Sequence, residues 1–392
     1  MHKRSVRAAD VDGRRALVRV DFNVPIVGGA VADDTRIRAA LPTIQLLRRR
    51  GARVILMSHL GRPKSGPDPR LSLAPVARRL SELLGEPVTL APGVVGPEVE
   101  VAAAALPPRG VLLLENVRFE AGEERDDPAF ADHLARFGDL YVDDAFGSAH
   151  RAHASTHAVA RRLPAYAGLL LEREMSALDR LQQDPTRPFA AILGGAKVSD
   201  KLPILERLVD RVDVLLLGGG MANTFLLAEG CEIGRSLAER DLADAARAVL
   251  TRAYARGIQV LLPTDVVVAE TIEAPHGRVV HATEIPENMA VFDIGPATIG
   301  RFAEAIRDAR TIFWNGPMGV FERPPFAAGT LGVAVAVAES AAFSLIGGGD
   351  SIAAVAAAGV TDCIDHISTG GGAALEYLEG RELPGVAVLP DA

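Results

Sequence analysis

The sequence predicts an α/β fold of two doubly wound lobes, each a mainly parallel sheet flanked by helices, joined by a hinge helix. From Arg15 onward, short apolar runs alternate with amphipathic helical patterns. The runs are continuously apolar, which is typical of parallel strands that are covered on both faces. There are eleven such runs, more than one sheet usually holds, so we expect two sheets. The length of 392 residues agrees with this, because domains average about 150 residues.

The pattern assigns each element an approximate position in the chain. In the first half it predicts strands at residues 16–20, 54–57, 88–90, 111–114 and 140–142, with helices at 38–50, 74–84 and 129–137. In the second half it predicts strands at residues 189–193, 214–217, 260–262, 291–293, 312–314 and 344–346, with helices at 237–254, 298–308 and 351–358.

The lobes are expected to join near residue 170. A strong helical pattern covers residues 170–183 and ends in a cluster of helix breakers, QQDPTRP at 182–188. We therefore predict an N-terminal lobe of residues 1–169. The second lobe is predicted to cover residues 170–374 and to include the hinge helix 170–183.

Composition excludes several classes of protein. A formal net charge of −8 argues against general nucleic-acid binding. Cys231 and Cys363 are too few for a disulfide framework, which favours a reducing compartment. The N-terminus lacks the apolar core of a signal peptide, and no apolar run approaches the roughly 18 residues of a membrane span. We expect a cytoplasmic protein without nucleic-acid or membrane partners.

Polar and basic residues follow the predicted strands of the first half. In open parallel sheets ligands bind beyond the carboxyl ends of the strands, so these residues are expected to converge. A single arginine there is more typical of an ordinary surface position, but four just past strands favour a site for a small polyanion. The residues concerned are Asp21, Asn23, Arg36, His59, Leu60, Gly61, Arg62, Arg118 and Arg151.

Three histidines have a spacing that could imitate metal ligands on a helix. His150, His153 and His157 stand three and four residues apart. No carboxylate or cysteine lies in register to complete a zinc motif, so hydrogen bonding to an anion or capping is favoured over a metal site.

The strands of the second half end in glycine. Glycine lets a backbone approach a ligand closely and adopts positive φ, so these ends suit a base, a ribose and a phosphate chain. The segments concerned are 194–197, 218–221, 293–296, 315–322 and 347–351.

The loop 194–201 (GGAKVSDK) lies between a predicted strand and a predicted helix. Such a junction presents backbone N–H groups and a helix N-terminus to an anion. The chain has four lysines among 42 basic residues, and two of them, Lys197 and Lys201, lie in this loop. Lysine is a movable point charge, which favours phosphate binding over two ordinary surface lysines.

Asp350 opens the helical pattern that follows GGGD at 347–350. It could hold Mg²⁺ together with substrate phosphates, or it could simply cap the helix, and the residues alone leave both interpretations open. The P-loop pattern, the dinucleotide-binding glycine fingerprint and the nucleophile elbow are all absent from the sequence.

Taken together, seven segments resemble the phosphoglycerate kinase family in order and spacing over essentially the whole chain. They are VDFNVP at 20–25, SHLGRP at 58–63, LENVRF at 114–119, GGAKVSDK at 194–201, WNGPMGVFE at 314–322, GGGD at 347–350 and STGGGA at 368–373. The resemblance implies a monomeric, two-lobed cytoplasmic enzyme of glycolysis. It would reversibly transfer the acyl phosphate of 1,3-bisphosphoglycerate to Mg-ADP by direct in-line transfer with closure of the lobes.

The resemblance also implies roles for individual residues. It makes residues 1–169 the phosphoglycerate-binding lobe, on which the tail 375–392 packs back, and assigns the polar and basic residues of that lobe to the substrate. It assigns Arg36, Lys197, Gly371 and Gly372 to the phosphoryl group in transfer, and Asp350 to the metal. The nucleotide-binding residues implied are Lys201, Gly219, Gly295, Asn315, Pro317, Glu322, Gly348, Gly349, Asp350 and Ser351. Ser351 departs from the threonine of the family pattern but keeps the hydroxyl.

Two other functions stay open at this stage. A nucleotide-dependent oxidoreductase would suit a doubly wound fold, although the glycine fingerprint is missing. A non-catalytic relative that binds nucleotide would share the motifs, although every matched charged position is intact.

Overall fold

A computed structural model of the protein describes residues 3–64 and 66–392. It divides the chain into two compact units, unit 1 with Met1–Ser176 and Arg381–Ala392, and unit 2 with Ala177–Gly380. The boundaries expected from the sequence, after residues 169 and 374, lie a few residues before the observed boundaries, which follow Ser176 and Gly380. Met1, His2 and Ser65 of the first predicted domain lie outside the described residues.

Unit 1 is built on a six-stranded parallel sheet of order β5-β6-β4-β1-β7-β8, with β2 and β3 forming a small antiparallel hairpin beside it. Its strands are β1 Arg15–Arg19, β2 Ile26–Val27, β3 Ala30–Val31, β4 Arg53–Met57, β5 Val88–Leu90, β6 Val111–Leu113, β7 Leu140–Asp143 and β8 Ala165–Ala167. Its helices are α1 Thr35–Arg49, α2 Ala74–Leu84, α3 Pro97–Ala104 and α4 Pro128–Ala135, and α5 Leu169–Gln182 contains the boundary between the units.

Unit 2 holds a second six-stranded parallel sheet of order β11-β10-β9-β15-β16-β17, and a three-stranded antiparallel sheet of order β13-β12-β14. Its strands are β9 Phe189–Leu193, β10 Val214–Leu217, β11 Gln259–Leu261, β12 Asp265–Ala269, β13 Arg278–His281, β14 Ala290–Ile294, β15 Thr311–Asn315, β16 Phe343–Gly347 and β17 His366–Ile367. Its helices are α6 Leu202–Leu208, α7 Gly219–Ala228, α8 Ala243–Ala255, α9 Pro296–Asp308, α10 Ala328–Glu339, α11 Gly349–Ala357 and α12 Gly371–Leu378.

The strand expected at 291–293 exists as β14 but does not belong to the parallel sheet. Only three residues separate the end of β11 at Leu261 from the start of β12 at Asp265. A parallel connection needs a crossover of a dozen or more residues, so β12 leaves the main sheet and pairs antiparallel with β13 and β14. The apolar pattern identified the strand but not its partner.

The central strands of each parallel sheet are buried on both faces, as the continuous apolar runs predict. All five residues of β9 and all five of β15 are buried, including Trp314. The chain then returns to unit 1 through the short helix α13 Pro384–Ala387. Within residues 3–64 and 66–392, every helix is too short or too polar to cross a bilayer.

Asp144 fixes the start of α5. Its Oδ1 accepts hydrogen bonds from the backbone N–H groups of Leu170 and Leu171, at 2.8 and 3.3 Å. Glycine is required at position 168, where a Cβ would lie 2.1 Å from that oxygen. Burial raises the pKa of the Asp144 carboxyl to about 7. The N-terminus of the helix that contains the unit boundary is therefore capped by a carboxyl group that binds its proton more tightly than an ordinary aspartate does.

We expect Asp144→Asn to change the pH dependence of stability. Between the ordinary pKa near 3.8 and about 7, the folded state binds the Asp144 proton better than the unfolded state does, so this contribution to stability is lost as pH rises. Asparagine keeps an oxygen for the cap and has no proton to lose. The free energy of unfolding of the variant minus that of the wild type should therefore increase by about 2 kcal/mol from pH 5 to pH 8.

Urea unfolding followed by far-ultraviolet circular dichroism at each pH measures the difference. Asp139→Asn is the control, because hydrogen bonds from Arg15 hold the pKa of Asp139 below its ordinary value and the group stays ionised over this range. A difference between Asp144→Asn and wild type that does not vary with pH would contradict the prediction.

Candidate functional site

The carboxyl ends of β1, β4 and β6 lie side by side in unit 1, because these strands are neighbours in one parallel sheet. Hydrogen bonds join the loops that follow them. Ser58 Oγ accepts from the N–H of Phe22 at 2.9 Å, and Asn23 Oδ1 accepts from the N–H of Gly61 at 2.9 Å. A guanidinium N–H of Arg118 donates to the carbonyl of Gly61 at 2.6 Å. The predicted convergence of these loops is present.

Asn116 ties the same loops together and was not singled out by the sequence analysis. It is fully buried, and its Oδ1 accepts from the N–H groups of Leu60 and Arg118 at 3.2 and 3.1 Å. Its Nδ2 donates to the carbonyls of Leu60 and Leu71 at 2.7 and 3.0 Å. Since every polar atom of this amide has a backbone partner, Asn116 holds the loops in a fixed register.

Arg36 lies in the first turn of α1, and its NH1 is 3.2 Å from both carboxylate oxygens of Asp21 and from the carbonyl of Asn23. Asp21 is buried, whereas 36% of the Arg36 side chain is exposed. The ion pair fixes one side of the guanidinium, and the other N–H groups of the fork are left for an external anion.

The remaining predicted cations differ in how closely they join this group. Only 7% of the Arg118 side chain is exposed, and it lies 3.2 Å from Glu124. Arg151 is exposed, donates to His150 at 3.0 Å, and acts electrostatically on Arg118 and His153. Arg62 is exposed on its loop and, among the described residues, pairs with no other side chain. The cluster thus has a buried centre and two exposed arginines.

His153 and His157 lie against different carboxylates. His153 lies 3.8 Å from Glu123, and His157 lies 2.6 Å from Asp126. Burial, with a smaller effect of nearby arginines, lowers the pKa of His153 to about 4 and holds the pKa of His59 well below its ordinary value. Both rings are therefore neutral at physiological pH. No group of three or more His, Cys, Asp or Glu side chains within residues 3–64 and 66–392 is arranged to hold a metal.

In unit 2, three glycine-containing loops pack backbone against backbone. Gly194 and Gly195 donate to the carbonyls of Asn315 and Pro317 at 3.0 and 2.9 Å, and Gly219 donates to the carbonyl of Met318 at 2.9 Å. A Cβ at Gly194 would lie 2.1 Å from the carbonyl oxygen of Pro317. These glycines let the loops approach each other closely.

Lys201 connects this loop cluster to β16. Its ammonium donates to Asn315 Oδ1, and Asn315 Nδ2 donates to the carbonyl of Gly347 at 2.8 Å. Burial lowers the pKa of Lys201, while the charges of Asp200 and Asp350 oppose the shift. Lys197, in contrast, is exposed, and Val198 beside it is buried and anchors the loop. The two lysines therefore occupy different environments.

The N-termini of α11 and α12 lie side by side. The N-cap of α11 is Gly348 at φ +93°, and the N-cap of α12 is Gly370. A Cβ at Gly371 would lie 3.3 Å from both the N and the Cα of Gly348. In the described structure neither N-terminus has a side-chain cap. Two adjacent helix starts without a side-chain cap are an arrangement that is suited to phosphate.

Asp350 and Ser351 both lie at the start of α11, but one is exposed to solvent and the other is buried. Asp350 is exposed in the first turn, and since Gly348 is the N-cap, the capping interpretation of Asp350 does not hold. Ser351 is fully buried, and its Oγ accepts from the N–H of Gly316 at 2.6 Å. The serine hydroxyl thus joins α11 to the glycine loops.

Two other residues of the predicted nucleotide set lie elsewhere in unit 2. Gly295 is the N-cap of α9, whose N-terminal N–H groups at Ala297 and Thr298 are capped by Asp265 at 3.0 and 2.7 Å. A Cβ at Gly295 would lie 2.3 Å from the Asp265 carboxyl carbon. Glu322 is exposed in the turn that follows β15. Gly295 therefore permits close packing against Asp265, and the Glu322 side chain is accessible to a ligand.

The whole chain matches one family of known proteins. The family model described as phosphoglycerate kinase matches residues 6–381. The chain belongs to the phosphoglycerate kinase family. A phosphoglycerate kinase from Rubrobacter xylanophilus is 60% identical over 392 residues, covering 100% of this chain and 99% of the relative. One from Roseiflexus sp. (strain RS-1) is 55% identical over 395 residues and covers 100% of both chains.

Solved structures of the phosphoglycerate kinase family share the fold. The structure of phosphoglycerate kinase from Coxiella burnetii superposes with a TM-score of 0.89 at 42% identity and covers 98% of each chain. The crystal structure of the enzyme from Pyrococcus horikoshii OT3 gives a TM-score of 0.87 at 34% identity, also over 98% of each chain. The two mainly parallel sheets flanked by helices, predicted from the sequence, are confirmed.

Gly219→Ala should disrupt the packed glycine loops. Gly219 has φ +66°, and a Cβ there would lie 2.7 Å from backbone atoms of Gly195 and Pro317. The variant should lose about 3 kcal/mol of stability or more, since backbone strain and a backbone clash act together. Trp314 donates its indole N–H to the carbonyl of Gly316 at 2.8 Å, so its fluorescence during urea unfolding reports on these loops.

Gly230→Ala is the matched control just beyond the other end of α7. Gly230 has φ +89° but no atom within 4 Å of its Cβ position, so only the strain of about 1–2 kcal/mol applies. Equal losses in the two variants would show that the packing of the loops contributes nothing.

Proposed function

We propose that the protein catalyses the reversible transfer of the acyl phosphate of 1,3-bisphosphoglycerate to Mg-ADP, giving 3-phosphoglycerate and ATP. The observation that carries this proposal is that one chain of this family has two different groups of residues suited to binding anions. Unit 1 offers a cluster of arginines and neutral histidines, and unit 2 offers a lysine beside two uncapped helix N-termini.

The substrate is proposed to bind in unit 1. Arginine forks bind carboxylate and phosphate oxygens in pairs, and the partly exposed fork of Arg36 suits such a ligand. The residues proposed to bind it are Asp21, Asn23, Arg36, His59, Leu60, Gly61, Arg62, Arg118 and Arg151.

The nucleotide is proposed to bind in unit 2, with its phosphates on Lys201 and on the N–H groups that open α11. Some residues of the proposed set would contact the nucleotide through backbone atoms only, because their side chains already form hydrogen bonds within the protein. Its members are Lys201, Gly219, Gly295, Asn315, Pro317, Glu322, Gly348, Gly349, Asp350 and Ser351.

Mg²⁺ is proposed to bind at Asp350, and the residues present fit such an ion. The carboxylate is exposed and, in the part of the chain that the structure describes, no side chain pairs with it. Mg²⁺ usually takes one or two carboxylates together with substrate phosphates, so one aspartate beside a phosphate site is sufficient. The bound ion would neutralise charge on the phosphate oxygens of the nucleotide.

The transfer itself is proposed to be direct and in line. Phosphoryl transfer requires positioning and compensation of charge more than covalent chemistry from the protein. Arg36 in unit 1, with Lys197 and the helix start at Gly371 and Gly372 in unit 2, would supply that compensation. Because these groups belong to different units, the reaction would require the units to close around both substrates by a hinge motion, which would also exclude water.

We also propose that the enzyme is a cytoplasmic monomer. Two free cysteines without a disulfide suit a reducing compartment. Light scattering of the purified protein tests the monomer directly. A coupled assay with ATP, 3-phosphoglycerate, Mg²⁺ and a reductive reporter enzyme tests the activity, and absence of turnover would refute the proposed function.

Arg36→Ala and Lys197→Ala should each lower kcat by about 10²–10³, the loss typical of one preorganised donor in the transition state. Steady-state kinetics in the coupled assay measures this, and calorimetric titration separates it from loss of binding. Arg38→Ala is the control, since Arg38 is an exposed arginine of the same helix α1 and pairs with Asp34 at 2.8 Å. A variant of Arg36 or Lys197 with near-normal kcat would remove that residue from the mechanism.

Asp350→Asn should raise the Mg²⁺ concentration needed for half-maximal activity by about tenfold or more, because an amide replaces the anionic ligand. A Mg²⁺ titration at saturating ATP measures the change. Asp362→Asn, at an exposed aspartate in a turn of the same unit, is the control. If both variants keep the wild-type Mg²⁺ dependence, the metal is held by other groups.

A further inference from the structure

A buried ion network lies beneath the basic cluster of unit 1 and has no place in the function proposed so far. Arg19, the last residue of β1, is only 1% exposed, and Glu123 is fully buried. Charged side chains are almost never this buried unless they are paired. Because burying these two charges costs folding free energy, we expect the network to have a role in the site above it.

Ser155 joins the two charges. Its Oγ accepts from Arg19 Nε at 2.7 Å and donates to Glu123 Oε1 at 2.6 Å, and its N–H donates to Glu123 Oε2 at 3.0 Å. Arg19 also donates through NH1 to the carbonyl of Val20. Two acceptors, Ser155 Oγ and the Val20 carbonyl, thus fix the orientation of the Arg19 guanidinium, and its NH2 remains.

That NH2 lies 3.2 Å from Nδ1 of His59. A guanidinium can only donate, so Nδ1 must accept and cannot carry a proton. The ring of His59 is 7% exposed, and burial together with the charges of Arg19, Arg118 and Arg36 lowers its pKa far enough to keep it neutral. A neutral imidazole with a bare Nδ1 carries its proton on Nε2.

We propose that Arg19 is a positioning residue that holds His59 as the Nε2–H tautomer, so that His59 meets the substrate as a neutral hydrogen-bond donor. Glu123, through Ser155, keeps Arg19 in the orientation that this requires. The inference deepens the proposed function, because it rests on His59 as part of the substrate site. A neutral donor suits an anionic ligand at a place where three arginines already supply positive charge.

Long-range proton–nitrogen correlation spectra of substrate-free protein at pH 7 identify the tautomer of each histidine. Comparison with the spectrum of His59→Gln assigns the signal. We expect a neutral Nε2–H ring in the wild type. Arg19→Met alone would remove the positive charge nearest the buried Glu123 and destabilise unit 1. The main variant is therefore Arg19→Met combined with Glu123→Gln, which removes both charges.

In the double variant we expect His59 to show the Nδ1–H form or a mixture of the two tautomers. The KM for 3-phosphoglycerate should rise about tenfold, as for loss of one hydrogen bond to a charged group, with the KM for ATP unchanged. Arg19→Lys keeps a cationic donor and should keep the Nε2–H form. The matched control combines Arg15→Met with Asp139→Asn, an ion pair of 2.7 Å at the other end of β1.

A wild-type His59 with the proton on Nδ1, or a double variant that stays wholly Nε2–H, would overturn the proposal. The spectra need no substrate, so this result is independent of turnover. A wild-type protein that has the expected tautomer but no kinase activity would refute the proposed function while supporting the role of Arg19.

Discussion

The candidate nucleotide site depends on a backbone-to-backbone approach that only glycine permits. The loops after β9, β10 and β15 meet so closely that a Cβ at Gly194, Gly219 or Gly316 would lie within 2.7 Å of a neighbouring backbone atom. This contact sets the distance between the strand ends and thereby the place of Lys201 and Asn315. Ser351 extends it to α11 through Gly316. One packing constraint therefore positions the lysine and one helix N-terminus together.

Unit 1 solves the same problem with polar side chains. Its loops are held by Asn116, Asn23 and Ser58, whose hydrogen bonds run to the backbone of adjacent loops. Fully satisfied polar groups of this kind rigidify a site, whereas an unpaired one would be costly. The loops that carry the basic residues are thus already held by hydrogen bonds. Arg36 is likewise oriented by Asp21 before any ligand is present.

The sequence was informative wherever a local pattern decides the structure. Apolar runs predicted five of the six strands of each parallel sheet, and the carboxyl-end rule predicted which loops of unit 1 meet. The short strands β8 and β17 were not predicted. It could not predict the partner of β14, because that depends on a three-residue connection elsewhere in the chain. Arg19 was included in an apolar run and attributed to no site, since its buried partner Glu123 is more than one hundred positions away. The glycines were assigned to ligands, although many of their nearest neighbours are other loops.

The C-terminal tail has a consequence for biosynthesis. Lys3 pairs with Asp391 at 2.8 Å, Arg4 donates to the carbonyl of Pro390 at 2.8 Å, and Gly385 donates to the carbonyl of Ala149 at 2.9 Å. Unit 1 is thus closed by residues that are translated after all of unit 2, and Ala149 lies two positions before Arg151. Domains usually fold in order of synthesis, but the final contacts of unit 1 can form only after unit 2 has been synthesised. Unit 2, which is continuous in sequence, has no such delay.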